Sequence, residues 1–257
     1  MELPVLDLLV PTAEAGPVPV VAGEPVLRAL YAVPSGGSHV RGNMISTVDG
    51  AASGGDGLSG SINGPADGRV FSVLRSLADV VLVGAGTVRA EGYADLALRP
   101  DLRAVRTGEG RTPEPGLAVV TRTGDLPEQV LTARPSPWVV TVADAPGLPR
   151  LRRVLPADRL VVHDGGVDLT ATLEVLGHAG MPHVLCEGGP RLLGAMLAGG
   201  LVDELCLTTS PLVTAGTAGR VVGAPTQLDP PLTGTLETLL HGDGMLMARW
   251  RLTATAP

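Results

Sequence analysis

Short, uninterrupted apolar runs recur along this chain and alternate with segments of helical periodicity. The runs lie at residues 80–83, 117–120, 138–142, 160–162 and 184–186. Runs of three to five such residues are typical of strands that are covered on both faces of a sheet. Helical patterns lie before, between and after them, at residues 65–79, 169–176 and 191–198. Repeated strand–helix–strand units predict an α/β fold with a mainly parallel sheet flanked by helices.

The two ends of the chain add other elements. Residues 24–31 predict a short helix, and residues 40–48 predict a strand that ends in a turn. A strand at 204–209 is followed by a C-terminal antiparallel hairpin, which we expect at the edge of the sheet; its strands lie at 235–240 and 245–253. The polar stretch 101–115 predicts a surface loop. No linker divides the chain, so we expect one domain, 1–257, with an N-terminal extension at 1–38 and a core at 39–257.

Composition excludes several classes of function. All 19 basic residues are arginine, so the chain has no Schiff-base lysine and no phosphate-loop lysine. The net charge of −7 argues against a nucleic-acid partner. No apolar run is long enough for a membrane span, and the two cysteines and five histidines show no metal-ligand spacing. We therefore expect a cytoplasmic protein without a metal ion or a membrane partner.

Two glycine-containing turns follow buried strands. The first turn, Gly84 to Thr87, follows the apolar run at 80–83, and the second, Glu187 to Arg191, follows the run at 184–186. Glycines let a ligand approach the backbone, and free amides at a helix start bind phosphate. The first turn is not a complete dinucleotide fingerprint, because Arg89 stands at its third glycine position. Two such turns together favour a dinucleotide site. Glu187 is then expected at the carboxyl edge of the sheet, where ligands bind; the alternative is that it only stabilises a helix dipole.

Five motifs occur in an order that resembles the reductase domain of riboflavin biosynthesis. They are Asn43 to Gly50, Leu74-Arg75, Gly84 to Val88, Glu187 to Leu192 and Leu201 to Leu205. This resemblance implies a dihydrofolate reductase-like fold, a twisted mixed sheet flanked by helices. It also implies an NADPH-dependent oxidoreductase. Its substrate would be 2,5-diamino-6-ribosylamino-4(3H)-pyrimidinone 5′-phosphate or the deaminated form, reduced by hydride transfer to the sugar carbon of an opened imine.

The resemblance also assigns residues to the site. Those expected to contact NADPH are Ser46, Thr87, Glu91, Thr121, Arg122, Gly188, Gly189, Pro190, Arg191, Leu192 and Leu193. Those expected to contact the substrate are Asp49, Ser59, Arg75, Leu96, Arg99 and Glu187, of which Glu187 is the expected catalytic residue. Asp49 stands in an Asp-Gly pair, which by itself indicates a turn. Arg75 and Arg99 would suit a phosphate clamp, because guanidinium groups pair with phosphate oxygens.

Alternatives remain open within this pattern. Glu91-Gly92-Tyr93 replaces the acidic and proline pattern common after the first turn, and a pterin such as dihydrofolate is a second candidate substrate. A third possibility is a nucleotide-binding regulator without turnover, since no strong catalytic acid is evident. The chain lacks the zinc-deaminase motif that precedes many such reductases. Family reductases pair through the C-terminal region, so we expect a homodimer.

Overall fold

One mixed sheet organises the computed structural model, which describes residues 2–34, 36–93 and 96–254. Within these ranges it has eleven strands, in the spatial order β2-β1-β10-β11-β9-β3-β8-β4-β5-β6-β7. The strands are β1 (Leu6–Val10), β2 (Gly16–Val18), β3 (His39–Thr47), β4 (Val80–Gly84), β5 (Gly116–Val120), β6 (Trp138–Val142), β7 (Leu160–His163), β8 (His183–Cys186), β9 (Glu204–Ser210), β10 (Leu232–Gly242) and β11 (Met245–Ala254).

The sheet is parallel over most of its width. Strands β9, β3, β8, β4, β5, β6 and β7 pair in parallel, and β2, β1, β10, β11 and β9 pair antiparallel at the other end. The predicted mixed, mainly parallel sheet with a C-terminal antiparallel hairpin is therefore confirmed. Its helices are α1 (Pro25–Leu30), α2 (Pro65–Leu77), α3 (Ala85–Glu91), α4 (Pro100–Gly108), α5 (Glu128–Leu131), α6 (Leu148–Val154), α7 (Leu169–His178) and α8 (Pro190–Ala198).

Strand β4 shows why its sequence is apolar throughout. Val81 and Val83 point into the cluster that contains α2 and α4 side chains, whereas Val80 and Leu82 point into the cluster that contains α7 and α8 side chains. Successive side chains of a strand alternate between faces, and here both faces are covered by helices. Within the described ranges, no helix has the length and hydrophobicity to cross a bilayer.

The expected surface loop at 101–115 is wrong, because helix α4 occupies most of it. Leu102 and Arg106 are buried on one face of this helix. Arg106 donates hydrogen bonds to the carbonyls of Ser76 and Ala78, which lie at the end of α2. A single buried stripe is enough to hold a polar helix, and Pro100 suits its first turn. The polar composition concealed that stripe.

The N-terminal segment contributes two strands that the sequence did not reveal. Strand β1 pairs antiparallel with β10, and β2 pairs with β1. The C-terminal hairpin was expected at the edge of the sheet. It lies inside the sheet instead, because β1 and β2 cover β10. The division of the chain into an extension at 1–38 and a core at 39–257 stays a prediction, although β1 and β2 belong to the same sheet as the rest.

Candidate active site

The two glycine-containing turns meet at the carboxyl ends of the neighbouring parallel strands β4 and β8. The amide of Gly84 donates to the carbonyl oxygen of Gly188 at 2.7 Å. A Cβ added to Gly189 would lie 2.6 Å from Oγ1 of Thr87, and one added to Gly188 would lie 2.9 Å from Sδ of Met44. Gly188 also has φ of +75°, a conformation that favours glycine. Close approach thus requires glycine at both positions.

An open cleft of about 470 Å³ lies over this junction. It is bounded by β3, α2, α3, the glycine-rich segment before α2, and the turn after β8. Ligands of open α/β sheets bind at the carboxyl ends of the strands, and the cleft occupies that position. The predicted site residues that line it are Ser59, Arg75, Thr87, Glu91, Glu187, Gly189 and Pro190.

Glu187 and Arg75 form a two-pronged ion pair in the cleft. Nε and Nη2 of Arg75 each donate to one carboxylate oxygen of Glu187 at 2.8 Å. The Glu187 side chain is 2% exposed and that of Arg75 is 16% exposed. The guanidinium lies 4.2 Å from the ring centre of Phe71 and 5.5 Å from that of Tyr93. Burial acts to lower the pKa of Arg75, but the hydrogen bonds and charge of Glu187 outweigh it and raise that pKa.

A second contact fastens the glycine-rich segment to α3. The carboxylate of Glu91 accepts hydrogen bonds from the amide of Ser59 at 2.8 Å and from its hydroxyl at 3.0 Å. Glu91 and Ser59, which were predicted to contact cofactor and substrate respectively, are therefore partners of each other. Together they form part of the wall of the cleft.

Thr121 and Arg122 follow β5, the neighbour of β4 on the side away from β8. Thr121 is buried and its hydroxyl oxygen accepts from the amide of Gly124 at 3.1 Å. Arg122 is exposed, and it has no ion-pair partner among the residues that the structure describes. The residues expected to contact NADPH thus follow three adjacent strands, β5, β4 and β8, apart from Ser46 on β3.

Three residues of α8 differ in what they could offer a ligand. Leu192 and Leu193 are buried in the core, so only their backbone could reach a ligand. Arg191 is exposed. Ser46 is buried within β3, opposite Thr209 of β9. None of these four residues lines the cleft.

Several expected substrate contacts also lie outside the cleft lining. Asp49 is exposed, and its carboxylate accepts from the Thr47 hydroxyl and from the amides of Thr214 and Ala215; the Thr47 bond and then the Ala215 bond lower its pKa. Leu96 packs in the core. Arg99 begins α4 and pairs with Asp101 at 2.8 Å and Glu24 at 3.1 Å. The structure does not bring Arg99 into the cleft beside Arg75.

Sequence reasoning missed Asp67, which is buried in the wall of the cleft on the first turn of α2. Its carboxylate accepts a hydrogen bond from the hydroxyl of Thr208. Burial raises the pKa of Asp67 to about 6, although the Thr208 bond acts in the opposite direction. Asp67, Phe71 and Arg75 are spaced four residues apart, so they share one face of α2. That spacing was a signal available in the sequence.

The fold and the cleft are those of an α/β protein with a candidate ligand site over the carboxyl edge of a mainly parallel sheet, at a glycine turn and a buried charged pair. Comparison with known families makes this specific. Residues 38–246 match the model of the RibD C-terminal domain family, and the chain belongs to that family.

Individual relatives agree with this assignment. A 2,5-diamino-6-ribosylamino-4(3H)-pyrimidinone 5′-phosphate reductase of Methanothermobacter thermautotrophicus is 30% identical over 183 residues, which cover 70% of this chain and 81% of that protein. The reductase of the same name from Archaeoglobus fulgidus is 28% identical over 184 residues, covering 68% and 80%. In fold, the chain is similar to a pyrimidine reductase-like protein of Corynebacterium diphtheriae, with a TM-score of 0.76, 23% identity, and coverage of 91% and 100%.

Proposed function

We propose that this protein is an NADPH-dependent reductase of riboflavin biosynthesis that acts on 2,5-diamino-6-ribosylamino-4(3H)-pyrimidinone 5′-phosphate. Two relatives that the chain matches over about four-fifths of their length carry the name of that reductase. The observation that carries the proposal is the pair of Glu187 and Arg75 at the glycine turn, inside a cleft of suitable size. Pockets of a few hundred Å³ hold ligands of this class.

In this proposal Glu187 binds the polar groups of the substrate and Arg75 binds its phosphate. A guanidinium has five N–H donors, and the ion pair with Glu187 uses two of them. Tyr93 is a further hydrogen-bond partner of Arg75, and the donors that are left can bind phosphate oxygens. Arg75 can therefore orient Glu187 and hold an anion at the same time. Arg99 would contribute from outside the cleft lining, and only if its pairs with Asp101 and Glu24 rearranged.

The residues after β4, β5 and β8 suit a dinucleotide. At the start of α8, Pro190 has no N–H and the amide of Leu192 donates to the carbonyl of Gly189. The amide of Arg191 has no acceptor within the helix, and it follows two glycines. Thr87 adds a hydroxyl beside Gly189. When bound, the reduced nicotinamide supplies the hydride. We propose that Arg122 distinguishes NADPH from NADH by pairing with the 2′-phosphate.

The test of the function is a parallel assay of NADPH oxidation with the pyrimidinone phosphate and with dihydrofolate, together with direct titration of NADPH binding. We expect turnover of the pyrimidinone phosphate. Turnover of dihydrofolate alone would establish a pterin reductase instead. NADPH binding without turnover of either compound would indicate a regulator.

The cofactor preference is tested by replacing Arg122 with alanine. We expect the KM for NADPH to rise about tenfold or more, with little change in the KM for NADH. Arg134→Ala is the matched control, because Arg134 is an exposed arginine that contacts only the carbonyls of Thr132 and Ala133 among described residues. An equal effect of Arg122→Ala on both cofactors would remove Arg122 from the 2′-phosphate site.

We further propose that the protein works in the cytoplasm as a homodimer. The absence of a membrane-spanning helix in the described ranges agrees with the first part. For the homodimer, Met245 and Met247 of the hairpin are buried within the subunit, so they cannot contact a second subunit. Leu205, Leu236 and Trp250 are half-buried on one face of the antiparallel strands, and they could pack against a second subunit.

A further inference from the structure

Asp67 differs from the other buried carboxylate of the cleft in what surrounds it. Glu187 is held by a guanidinium, whereas Asp67 accepts from a hydroxyl and has no cationic partner among the described residues. Asp67 is 6% exposed and still lines the cleft. Two carboxyl groups in one site whose surroundings differ in this way suit two protonation states. The group without a cation can hold a proton.

The groups that face Asp67 are few and mostly neutral. Cys206 and Thr208 of β9 face it from the sheet, and Tyr31 faces it from the end of α1. Burial raises the pKa of the Tyr31 hydroxyl and of the Cys206 thiol, so both stay uncharged. The guanidinium groups of Arg41 and Arg249 lie 5.8 Å and 5.9 Å from the ring centre of Tyr31, and both pair with Glu204.

Two neighbouring features favour the anion of Asp67. Asp67 lies in the first turn of α2, where the helix dipole stabilises negative charge, and the Thr208 hydrogen bond acts in the same direction. Burial outweighs that bond, and the pKa of Asp67 rises to about 6. A general acid works best with a pKa near the pH of operation. Asp67 can therefore deliver a proton and recover it from water at the open cleft.

We propose that Asp67 is the catalytic acid of the reduction, protonating the nitrogen of the substrate imine as its carbon accepts the hydride. This inference rests on the proposed function. The carbon gains a C–H bond and is reduced, while the nicotinamide that gives up the hydride is oxidised. The π electrons of the C=N bond move to nitrogen, which forms an N–H bond as the O–H bond of Asp67 breaks. Asp67 is left as a carboxylate, and a proton from water restores it.

The test measures single-turnover NADPH oxidation with the pyrimidinone phosphate between about pH 5 and pH 8. In the wild type we expect the rate to fall as the pH rises past about 6, as Asp67 loses its proton. Asp67→Asn should lower the rate about a hundredfold and abolish that fall, since general acid catalysis contributes about this much. NADPH affinity should not change. Ser72→Ala, on the same helix with its hydroxyl bonded to the Gly68 carbonyl, is the control and should behave as wild type.

A second variant keeps the test decisive if Asp67→Asn does not fold. Thr208→Val removes the hydrogen bond that lowers the pKa of Asp67, so the fall in rate should move to higher pH. A merely structural role of Thr208 would not move it. An Asp67→Asn enzyme with the wild-type rate and pH profile, or an unmoved profile in Thr208→Val, would overturn the proposal. A wild-type protein that binds NADPH but does not reduce this substrate would instead overturn the proposed function.

Discussion

At the scale of single residues, Glu187 places a buried carboxylate in the cleft, next to the end of β8. Glu187 directly follows β8, and its carboxylate accepts hydrogen bonds from Nε and Nη2 of Arg75. Glu187→Gln keeps the size and one acceptor but removes the charge. We expect kcat/KM to fall tenfold or more, because contacts to the substrate and the orientation of Arg75 are lost. This fall equals about 1.4 kcal/mol or more of transition-state stabilisation. Steady-state kinetics with the pyrimidinone phosphate measures this.

The control for that variant is Glu109→Gln. Glu109 also pairs with an arginine, Arg28, but lies outside the lining of the cleft. It should leave kcat/KM unchanged. The dissociation constant of NADPH should stay within about twofold in both variants, since the cofactor would be held by the amides that follow Glu187. Normal turnover of Glu187→Gln would contradict the role of this residue.

Asp67 also predicts how stability depends on pH. Its pKa in the folded protein, about 6, lies above the ordinary value of 3.8. A carboxyl with a raised pKa binds its proton more tightly when folded, so its contribution is greatest below pH 3.8 and is lost as the pH rises through 6. Compared with wild type, Asp67→Asn should gain relative stability across this window, by up to about 1.4 kcal/mol per pH unit. Urea unfolding of both proteins at several pH values measures the difference, and parallel curves would contradict the raised pKa.

At the scale of elements, Arg69 binds the N-terminal segment to helix α2. It donates to the carbonyls of Pro4, Val18 and Pro19 and forms a fully buried pair with Glu24. Helix α2 thus carries the cleft residues on one face and this anchor on another. The strand pairing of β1 with β10 and the anchor hold the same segment from two sides.

Arg69→Met should therefore destabilise the protein by about 3–5 kcal/mol, since it leaves a buried carboxylate with only part of its partners and three carbonyls unpaired. Urea denaturation measures the loss, and amide exchange in β1 and β10 should rise. Arg103→Met is the control, because the Arg103–Glu114 pair is half exposed and such pairs contribute about 0–1 kcal/mol. An effect of Arg69→Met no larger than that of the control would show that the strands alone hold the segment.

At the scale of the whole molecule, the proposed homodimer has a mass that can be measured. Light scattering at micromolar concentration should return twice the chain mass of 26.1 kDa. Trp250→Asp, on the half-buried face that β9, β10 and β11 present, should return the monomer mass while the fold persists. Arg251→Ala, at the adjacent and exposed position of β11 that points to the opposite face, is the control. A monomer mass for the wild type would refute the dimer.

Much of this architecture was readable from the sequence, because the relevant signals are local. The apolar runs predicted strands covered on both faces, and β4 divides its side chains between two helix-covered clusters as such a strand must. The glycine turns after β4 and β8 predicted a shared site, since neighbouring parallel strands end at one edge. The motif order predicted the family, which the match over residues 38–246 confirms.

Only the tertiary structure determined which distant residues are in contact and which polar side chains are buried away from water. Arg75 and Glu187 lie 112 positions apart, and nothing local in either motif predicts that they pair. The place of β1 and β2 beside β10 depends on a partner at the other end of the chain. Asp67 looks like an ordinary first-turn carboxylate in sequence, and only burial against β9 raises its pKa. Periodicity records which face of an element is apolar, but the partner of each polar group is set when the elements pack.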